Sequence, residues 1–95
     1  MSDYSKNYII IITELKLKGT VVDVRSTDEF KIDHFPGAVN IPLEMVNNHI
    51  ADFKVMEKTL MAYCRSGNRS RMATPILKSA GIQEVINAGS LDDIL

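Results

Sequence analysis

The chain has 95 residues, of which 45% are hydrophobic, and its formal net charge is −1. This length predicts one domain covering residues 1–95, and the hydrophobic content excludes a largely disordered chain. A nucleic-acid-binding protein would carry a basic excess, so we expect no nucleic-acid partner. No run approaches the roughly 20 apolar residues of a membrane span, so we expect no membrane association either.

Cys64 is the only cysteine, which excludes a disulfide within the chain. With only His34 and His49 available beside it, the sequence predicts no metal site and no cofactor. The apolar run Ile9–Ile12 is shorter than the core of a signal peptide. We therefore expect a reducing, cytoplasmic location.

The sequence pattern is ambiguous before Gly19 and clear after it. Residues 1–7 are polar, whereas Tyr8–Lys18 combines an isoleucine run with a helical pattern that stops at Gly19; we predict an extended entry followed by a helix. Thr20–Val24 is β-branched and predicts a strand. Ser26 and Glu29, three residues apart, form a capping-box pattern that predicts a helix reaching about residue 33.

The middle of the chain continues the alternation of strands and helices. Pro36 and Gly37 predict a turn over residues 34–37, and Ala38–Ile41 reads as the next strand. A helix is predicted from Pro42 onwards. Its apolar residues recur at helical intervals: Leu43, Val46, Ile50 and Phe53.

Leu60–Cys64 is an apolar run that predicts a buried strand, and a second long helix follows the loop behind it. We expect that helix to bury Met72, Ile76 and Ala80, with Leu77 beside them, to kink at Pro75, and to end at Gly81. Residues 84–87 then predict a strand and residues 90–95 a short helix.

Regular alternation of this kind predicts an α/β fold with a mostly parallel sheet and helices on both faces. Ligands bind at the carboxyl ends of the strands in such sheets, and Cys64 ends its strand there.

The loop after Cys64 has the composition of an anion-binding site. The N–H groups at the start of the next helix and three nearby arginines, Arg65, Arg69 and Arg71, favour negative charge at this position, and Gly67 permits a sharp backbone turn. These neighbours favour a reactive thiolate over the alternative, a small buried hydrophobic cysteine.

Several segments together resemble the single-domain rhodaneses, small thiosulfate sulfurtransferases of the phage-shock type. The resemblance runs from Thr20 to Leu95. The matching segments are residues 22–25 (VDVR), 29–30 (EF), 34–42 (HFPGAVNIP), 64–70 (CRSGNRS) and 81–89 (GIQEVINAG).

The resemblance implies a double-displacement reaction with Cys64 as the nucleophile. Cys64 would take the outer sulfur of a small sulfur-donor anion such as thiosulfate, release sulfite and hold a persulfide, which an acceptor thiol or cyanide would then discharge. The resemblance implies no cofactor, and we expect a monomer. The substrate-binding residues it implies are Arg65, Ser66, Gly67, Asn68, Arg69 and Ser70, with Arg65 and Arg69 docking the donor's oxyanion end.

Two alternatives of other classes remain at this point. Phosphatases and arsenate reductases also place a cysteine before an arginine-closed anion loop, but with five intervening residues; here four separate Cys64 from Arg69. A non-catalytic binding module of the same fold would usually lack the cysteine. A persulfide carrier would need the same loop.

Other polar residues are predicted to have structural roles. We expect Asp23 and Arg25 to stabilise the fold through hydrogen bonds, and His34 to make a structural hydrogen bond rather than act as a base. Asp33 and Ser90 stand where the family usually has glycine.

Overall fold

The structure is a computed structural model that describes residues 18–95, so the predictions for residues 1–17 lie outside the described residues. Its elements, in chain order, are β1 (Thr20–Asp23), α1 (Thr27–Ile32), β2 (Val39–Asn40), a 3₁₀ helix (Leu43–His49), α2 (Ile50–Val55), β3 (Leu60–Cys64), α3 (Asn68–Ser79), β4 (Val85–Ser90) and α4 (Leu91–Ile94).

The four strands form one parallel sheet in the order β2-β1-β3-β4. β3 is central and every one of its residues is buried. Its register against β4 shifts between Ala62 and Tyr63. β4 continues to Ser90, beyond the predicted end of this strand, whereas β2 keeps only Val39 and Asn40 of the predicted four residues. The predicted α/β fold with a parallel sheet is confirmed.

Side chains of β3 alternate between two hydrophobic cores, one on each face of the sheet. Leu60, Ala62 and Cys64 face the larger core, and Met61 and Tyr63 face the smaller one. The helices after β2 and β3 cover the larger core through Val46, Phe53, Ala73 and Leu77, while Leu91 and Ile94 of α4 cover the smaller one. Burial on both faces explains why β3 is a continuous apolar run.

The capping box predicted for α1 is present. The Ser26 hydroxyl accepts the Glu29 N–H at 3.2 Å, and the Glu29 carboxylate accepts the Ser26 N–H at 3.2 Å. The helix then ends at Ile32, close to the predicted residue 33. This local motif fixes the Glu29 side chain at the start of α1, where it also reaches the cysteine loop.

The helix predicted from Pro42 forms in two parts. Residues 43–49 are 3₁₀-helical, and an α-helix begins only at Ile50, after a residue with φ −120° and ψ 21°. Three residues per turn bring Leu43 and Val46 onto one side, so the predicted apolar face survives the change of helix type. Val46 and Phe53 are fully buried, and Leu43 and Ile50 pack beside them.

The predicted buried face of α3 is wrong for Met72, whose side chain is 57% exposed. The residues that α3 buries are Ser70, Ala73 and Leu77. Since Ser70 turns toward Cys64 in the first turn of the helix, the residues three and seven positions later face the core instead. The exposed Pro75 lies within α3, which continues through it to Ser79.

The end of α3 has the predicted glycine. Gly81 has φ +96°, its N–H donates to the Lys78 carbonyl at 3.0 Å, and the Ile82 N–H donates to the Leu77 carbonyl at 3.0 Å. This pair of bonds is a Schellman motif, which satisfies carbonyl groups at the helix end. Within residues 18–95, the structure has no helix long and apolar enough to cross a membrane.

Candidate active site

Cys64 is the last residue of β3, and the loop behind it folds back over its sulfur. Gly67 has φ +91°, in the left-handed region that favours glycine, and its N–H donates to Cys64 Sγ at 2.9 Å. α3 begins at the next residue, so its N-terminal end faces the sulfur as predicted. The turn at Gly67 therefore places a backbone donor directly on the candidate nucleophile.

The environment of Cys64 favours its thiolate. Burial by itself raises the pKa of the Cys64 thiol, but donors around the sulfur outweigh it. These are the backbone N–H and hydroxyl of Ser70 and the backbone N–H groups of Ser66 and Gly67, which together hold the pKa below its ordinary value. Hydrogen bonding to the charged form is the physical cause. The thiol of Cys64 therefore ionises more readily than an ordinary cysteine.

Ser70 and Asn87 form a polar contact beneath the loop that was not predicted. Ser70 Oγ lies 3.6 Å from Cys64 Sγ and 2.6 Å from Asn87 Oδ1, so its single hydroxyl hydrogen can be donated to either acceptor. Asn87 Oδ1 also accepts the Gly89 N–H at 2.9 Å, and Asn87 Nδ2 donates to the Gly67 carbonyl at 3.3 Å. Asn87 therefore joins β4 to the cysteine loop. The only sequence signal for Asn87 is a polar residue near the end of a predicted strand. The sequence does not show that this strand pairs with β3.

Arg69 is held by a carboxylate from α1. Its Nη1 and Nη2 atoms donate to Glu29 Oε1 at 2.7 Å and Oε2 at 2.9 Å. The hydrogen bonds from Arg69 are the main reason that the pKa of Glu29 is lowered to about 2. The same pairing raises the pKa of Arg69. The docking role predicted for Arg69 stays a prediction, since its guanidinium already has a bidentate partner.

Other predicted binding residues lie at the surface of the loop. Arg65, Ser66 and Asn68 are exposed. Arg65 lines a cleft of about 340 Å³ between the loop, α1 and α4. The other residues that line this cleft are Arg25, Glu29, Ile32, Asp33, Leu91 and Asp92.

A buried ion pair lies beside the cleft. Arg25 Nη2 donates to Asp23 Oδ2 at 2.7 Å, and the Tyr63 hydroxyl donates to the same oxygen at 2.7 Å. Burial is the main reason that the pKa of Tyr63 is raised to about 12, so this hydroxyl stays protonated. The Arg25 guanidinium also donates to the Asp33 carbonyl at 2.7 Å. The predicted hydrogen-bonding role of Asp23 and Arg25 is confirmed.

His34 makes the expected structural contacts. Its Nδ1 donates to the Phe30 carbonyl at 2.8 Å, and its ring stacks on Phe30 with the ring centroids 3.7 Å apart. Among residues 18–95, no group of three or more histidine, cysteine, aspartate or glutamate side chains could hold a metal ion.

Comparison with known proteins places this arrangement in a family. The model of the rhodanese-like domain matches residues 11–94. The thiosulfate sulfurtransferase PspE of Escherichia coli K12 is 41% identical over 75 residues, covering 77% of this chain and 71% of PspE. The chain belongs to the rhodanese-like family.

Two further similarities support this assignment. The putative sulfur carrier protein YrkF of Bacillus subtilis 168 is 36% identical over 67 residues, covering 70% of this chain but only 36% of YrkF. The solved structure of a rhodanese with anions from E. coli has a TM-score of 0.71 and 37% identity, covering 78% of this chain and 88% of that one. The fold is therefore that of a rhodanese domain.

Proposed function

We propose that this protein is a sulfurtransferase that moves sulfane sulfur from thiosulfate or a persulfide donor to cyanide or a thiol. The observation that supports this most directly is the 2.9 Å hydrogen bond from the Gly67 N–H to Cys64 Sγ, in a loop that lowers the pKa of the thiol. A thiolate under backbone donors can attack sulfur and can also hold a negatively charged persulfide.

The first half-reaction needs no proton transfer. The Cys64 thiolate attacks the outer sulfur of thiosulfate and forms a new S–S bond, while the S–S bond of thiosulfate breaks and sulfite leaves with the electron pair. The N–H groups of Ser66, Gly67 and Ser70, which lower the pKa of Cys64, would stabilise the charge of the resulting persulfide.

In the second half-reaction, cyanide or an acceptor thiolate attacks the outer persulfide sulfur. The Cys64 thiolate leaves with the electron pair of the bond that breaks, and the enzyme returns to its starting state. The low thiol pKa helps this step too, because a thiolate of lower pKa is a better leaving group.

The named relatives support sulfur transfer and also suggest a second candidate function. PspE is named a thiosulfate sulfurtransferase, and YrkF is named a putative sulfur carrier. A carrier would form the same persulfide on Cys64 but pass it only to a protein partner. We further propose a monomer that acts on small sulfur anions and thiols in the cytoplasm, where the single thiol of Cys64 would stay reduced.

The test is the intact mass of the reduced protein after incubation with thiosulfate. We expect a gain of one sulfur, about 32 Da, that is lost on adding cyanide and is absent in Cys64→Ser. Sulfur uptake without release to cyanide or small thiols would support the carrier function. No uptake of sulfur, together with hydrolysis of an aryl phosphate, would reject sulfur transfer in favour of a phosphatase.

A further inference from the structure

Asn87 is an exposed residue on the edge strand β4, yet its side-chain amide is held in one orientation. Its Oδ1 accepts the Gly89 N–H at 2.9 Å, and its Nδ2 donates to the Gly67 carbonyl at 3.3 Å. Because a backbone N–H only donates and a carbonyl only accepts, these two contacts fix which end of the amide is the acceptor. The oxygen of the amide therefore faces Ser70.

The irregular shape of β4 holds this oxygen in place. In the register against β3, Asn87 lies opposite Ala62 and Gly89 lies opposite Tyr63, so Ala88 is skipped. An extra residue of this kind bends a strand and redirects the groups beside it, and here the Gly89 N–H turns to the Asn87 side chain. The backbone of β4 thus sets the position of the Asn87 acceptor.

The hydroxyl of Ser70 has one hydrogen and several acceptors within reach. Asn87 Oδ1 lies at 2.6 Å, the Gly67 carbonyl at 3.1 Å and Cys64 Sγ at 3.6 Å. The Gly67 carbonyl already accepts the Arg71 N–H at 3.0 Å. Since Ser70 is fully buried, surface water does not compete for its hydrogen. The main competition is therefore between Asn87 and Cys64.

The charge on Cys64 Sγ decides between these two acceptors. An uncharged sulfur is a weak acceptor, so in the thiol the hydrogen goes to the shorter contact, with Asn87. A thiolate is a charged acceptor, and hydrogen bonds to charged groups are about twice as strong as those between neutral groups. Ionisation of Cys64 therefore draws the hydrogen away from Asn87 and toward the sulfur.

From this geometry we propose that Asn87 is a positioning residue for sulfur transfer, and that it acts on Cys64 through the single hydroxyl hydrogen of Ser70. Its role in the catalytic cycle rests on the proposed sulfurtransferase function. Asn87 takes the hydrogen whenever Sγ is uncharged, and releases it whenever Sγ carries the negative charge.

Both half-reactions move the charge on and off Sγ. When the Cys64 thiolate attacks the outer sulfur of a donor, its electron pair enters the new S–S bond and the negative charge of the persulfide lies on the outer sulfur. The hydrogen of Ser70 then turns to Asn87. When cyanide takes the outer sulfur and leaves as thiocyanate, the electron pair of the S–S bond returns to Sγ, and the hydrogen turns back. No proton leaves Ser70 in either step.

Titration of the thiolate tests this role without any substrate. Ultraviolet absorbance of the thiolate is followed against pH, with Cys64→Ser as the blank. Asn87→Ala removes the competing acceptor, Ser70→Ala removes the hydrogen, and the double variant removes both. Asn87→Leu keeps the shape of the amide without its polar atoms, and it replaces Asn87→Ala if circular dichroism shows that the alanine variant is unfolded.

Gln83→Ala is the matched control. Gln83 is also an exposed amide, and its Nε2 also donates to a carbonyl of α3, that of Lys78 at 3.1 Å. It precedes β4, whereas Cys64 pairs with Ser90 at the other end of this strand. Every variant keeps Arg69, whose charge also interacts with Cys64.

We expect Asn87→Ala to lower the titration midpoint of Cys64 by about half a pH unit, because the hydrogen is then left to the thiolate. Ser70→Ala should raise the midpoint, and adding Asn87→Ala to it should cause no further shift. Gln83→Ala should not change the midpoint. A rise in the midpoint of Asn87→Ala, no shift, or the same shift with and without the Ser70 hydroxyl would overturn the proposal.

The loading equilibrium of Cys64 with thiosulfate and sulfite gives a second readout. Intact mass measures the fraction of Cys64 that carries sulfur, at a pH where the thiolate is complete in all variants. Because Asn87→Ala stabilises the thiolate but not the persulfide, it should lower the equilibrium constant about threefold, which is the half pH unit expressed as a ratio. In the Ser70→Ala background, Asn87→Ala should not change this constant.

An equilibrium constant that Asn87→Ala leaves unchanged would overturn the role of Asn87 in sulfur transfer, while the proposed function would stand. Failure of the wild type to take up sulfur would reject the proposed function, and the role of Asn87 in transfer with it. The titration would still show in that case whether Asn87 acts on Cys64 through Ser70.

Discussion

Arg69 and Glu29 are 40 residues apart in the chain, yet their side chains form a bidentate ion pair with N–O distances of 2.7 and 2.9 Å. Glu29 is also the acidic member of the α1 capping box. One carboxylate thus connects the start of α1 to the cysteine loop. Through this contact, a helix far from Cys64 in sequence restrains the loop that covers its sulfur.

The Glu29–Arg69 ion pair should restrain the cysteine loop. Glutamine at position 29 preserves the capping box but removes the charge, so Glu29→Gln isolates the ion pair. We expect Glu29→Gln and Arg69→Ala each to lower the free energy of unfolding by about 0.5–1 kcal/mol, since both side chains are partly exposed. We also expect both to lower kcat/KM for thiosulfate, because both release the loop.

Steady-state kinetics on both variants distinguish restraint of the loop from docking of the donor. If Arg69 docks the oxyanion end of the donor, Arg69→Ala raises KM while Glu29→Gln, which frees the guanidinium, does not. That result would contradict the expectation that both variants lower kcat/KM. It would support the docking role that the sequence predicted for Arg69.

Acid pH should weaken the same pair. The pKa of Glu29 is about 2 in the folded protein, below its ordinary value of 4.5. A depressed carboxyl pKa contributes stability that is complete above the ordinary value and is lost as the pH falls through the folded value. We expect the stability difference between the wild type and Glu29→Gln to shrink from pH 4.5 to pH 2. Urea denaturation of both proteins at several pH values measures this stability difference. A difference that stays constant with pH would contradict the lowered pKa of Glu29.

The Cys64 thiolate should depend on the hydroxyl of Ser70. Ser70 lowers the pKa of Cys64 through its backbone N–H and its hydroxyl. Alanine keeps the N–H but removes the hydroxyl, so Ser70→Ala should raise that pKa. We expect the midpoint of the pH dependence of iodoacetamide alkylation to move to higher pH in this variant. Because Cys64 is the only cysteine, the intact mass follows one site. Ser79→Ala, on the exposed side of the same helix, is the control and should not shift the midpoint.

The buried ion pair of Asp23 and Arg25 should be costly to break. Asp23→Asn leaves the Arg25 guanidinium without its carboxylate in a buried site, and we expect a loss of roughly 3–5 kcal/mol in the free energy of unfolding. Tyr63→Phe removes the neutral hydroxyl that donates to Asp23 and accepts the Phe35 N–H, and should cost about 1–2 kcal/mol. Urea denaturation of the two variants compares them; similar losses would mean that the charge of Asp23 contributes little.

Alanine substitutions at two glycines with similar φ angles distinguish the cost of backbone strain from the cost of a steric contact. Gly81 and Gly89 have φ +96° and +88°, so alanine at either position should cost about 1–2 kcal/mol through backbone strain. A Cβ on Gly81 would meet nothing within 4 Å, whereas one on Gly89 would lie 2.5 Å from Asp93 Oδ2. Asp93 Oδ2 accepts the Ser90 N–H, and this hydrogen bond is part of the capping box at the start of α4.

We therefore expect Gly89→Ala to lower the melting temperature more than Gly81→Ala does. Gly89→Ala should also reduce sulfur transfer, because the Gly89 N–H donates to Asn87 in the polar contact under the cysteine loop. Thermal denaturation and the thiocyanate assay measure the two effects. Equal melting temperatures would show that Asp93 moves aside at no cost.

The elements that the sequence predicted correctly depend on short-range patterns. The capping box of Ser26 and Glu29 needs only a spacing of three residues, and the apolar run Leu60–Cys64 needs only its own composition to be recognised as a buried strand. Alternation of strands and helices then implied a parallel sheet, with Cys64 at its carboxyl edge. The candidate nucleophile and the loop behind it could therefore be proposed without coordinates.

Tertiary structure decided the contacts that surround Cys64. Asn87 meets Ser70 because β4 pairs with β3, and Arg69 meets Glu29 because α1 reaches the same edge of the sheet. The inward turn of Ser70 also sets which face of α3 is buried, and it leaves Met72 exposed against the prediction. These contacts join residues far apart in the chain. Strand order and the rotation of each helix about its axis determine these contacts. Neither can be predicted from the local spacing of residues in the sequence.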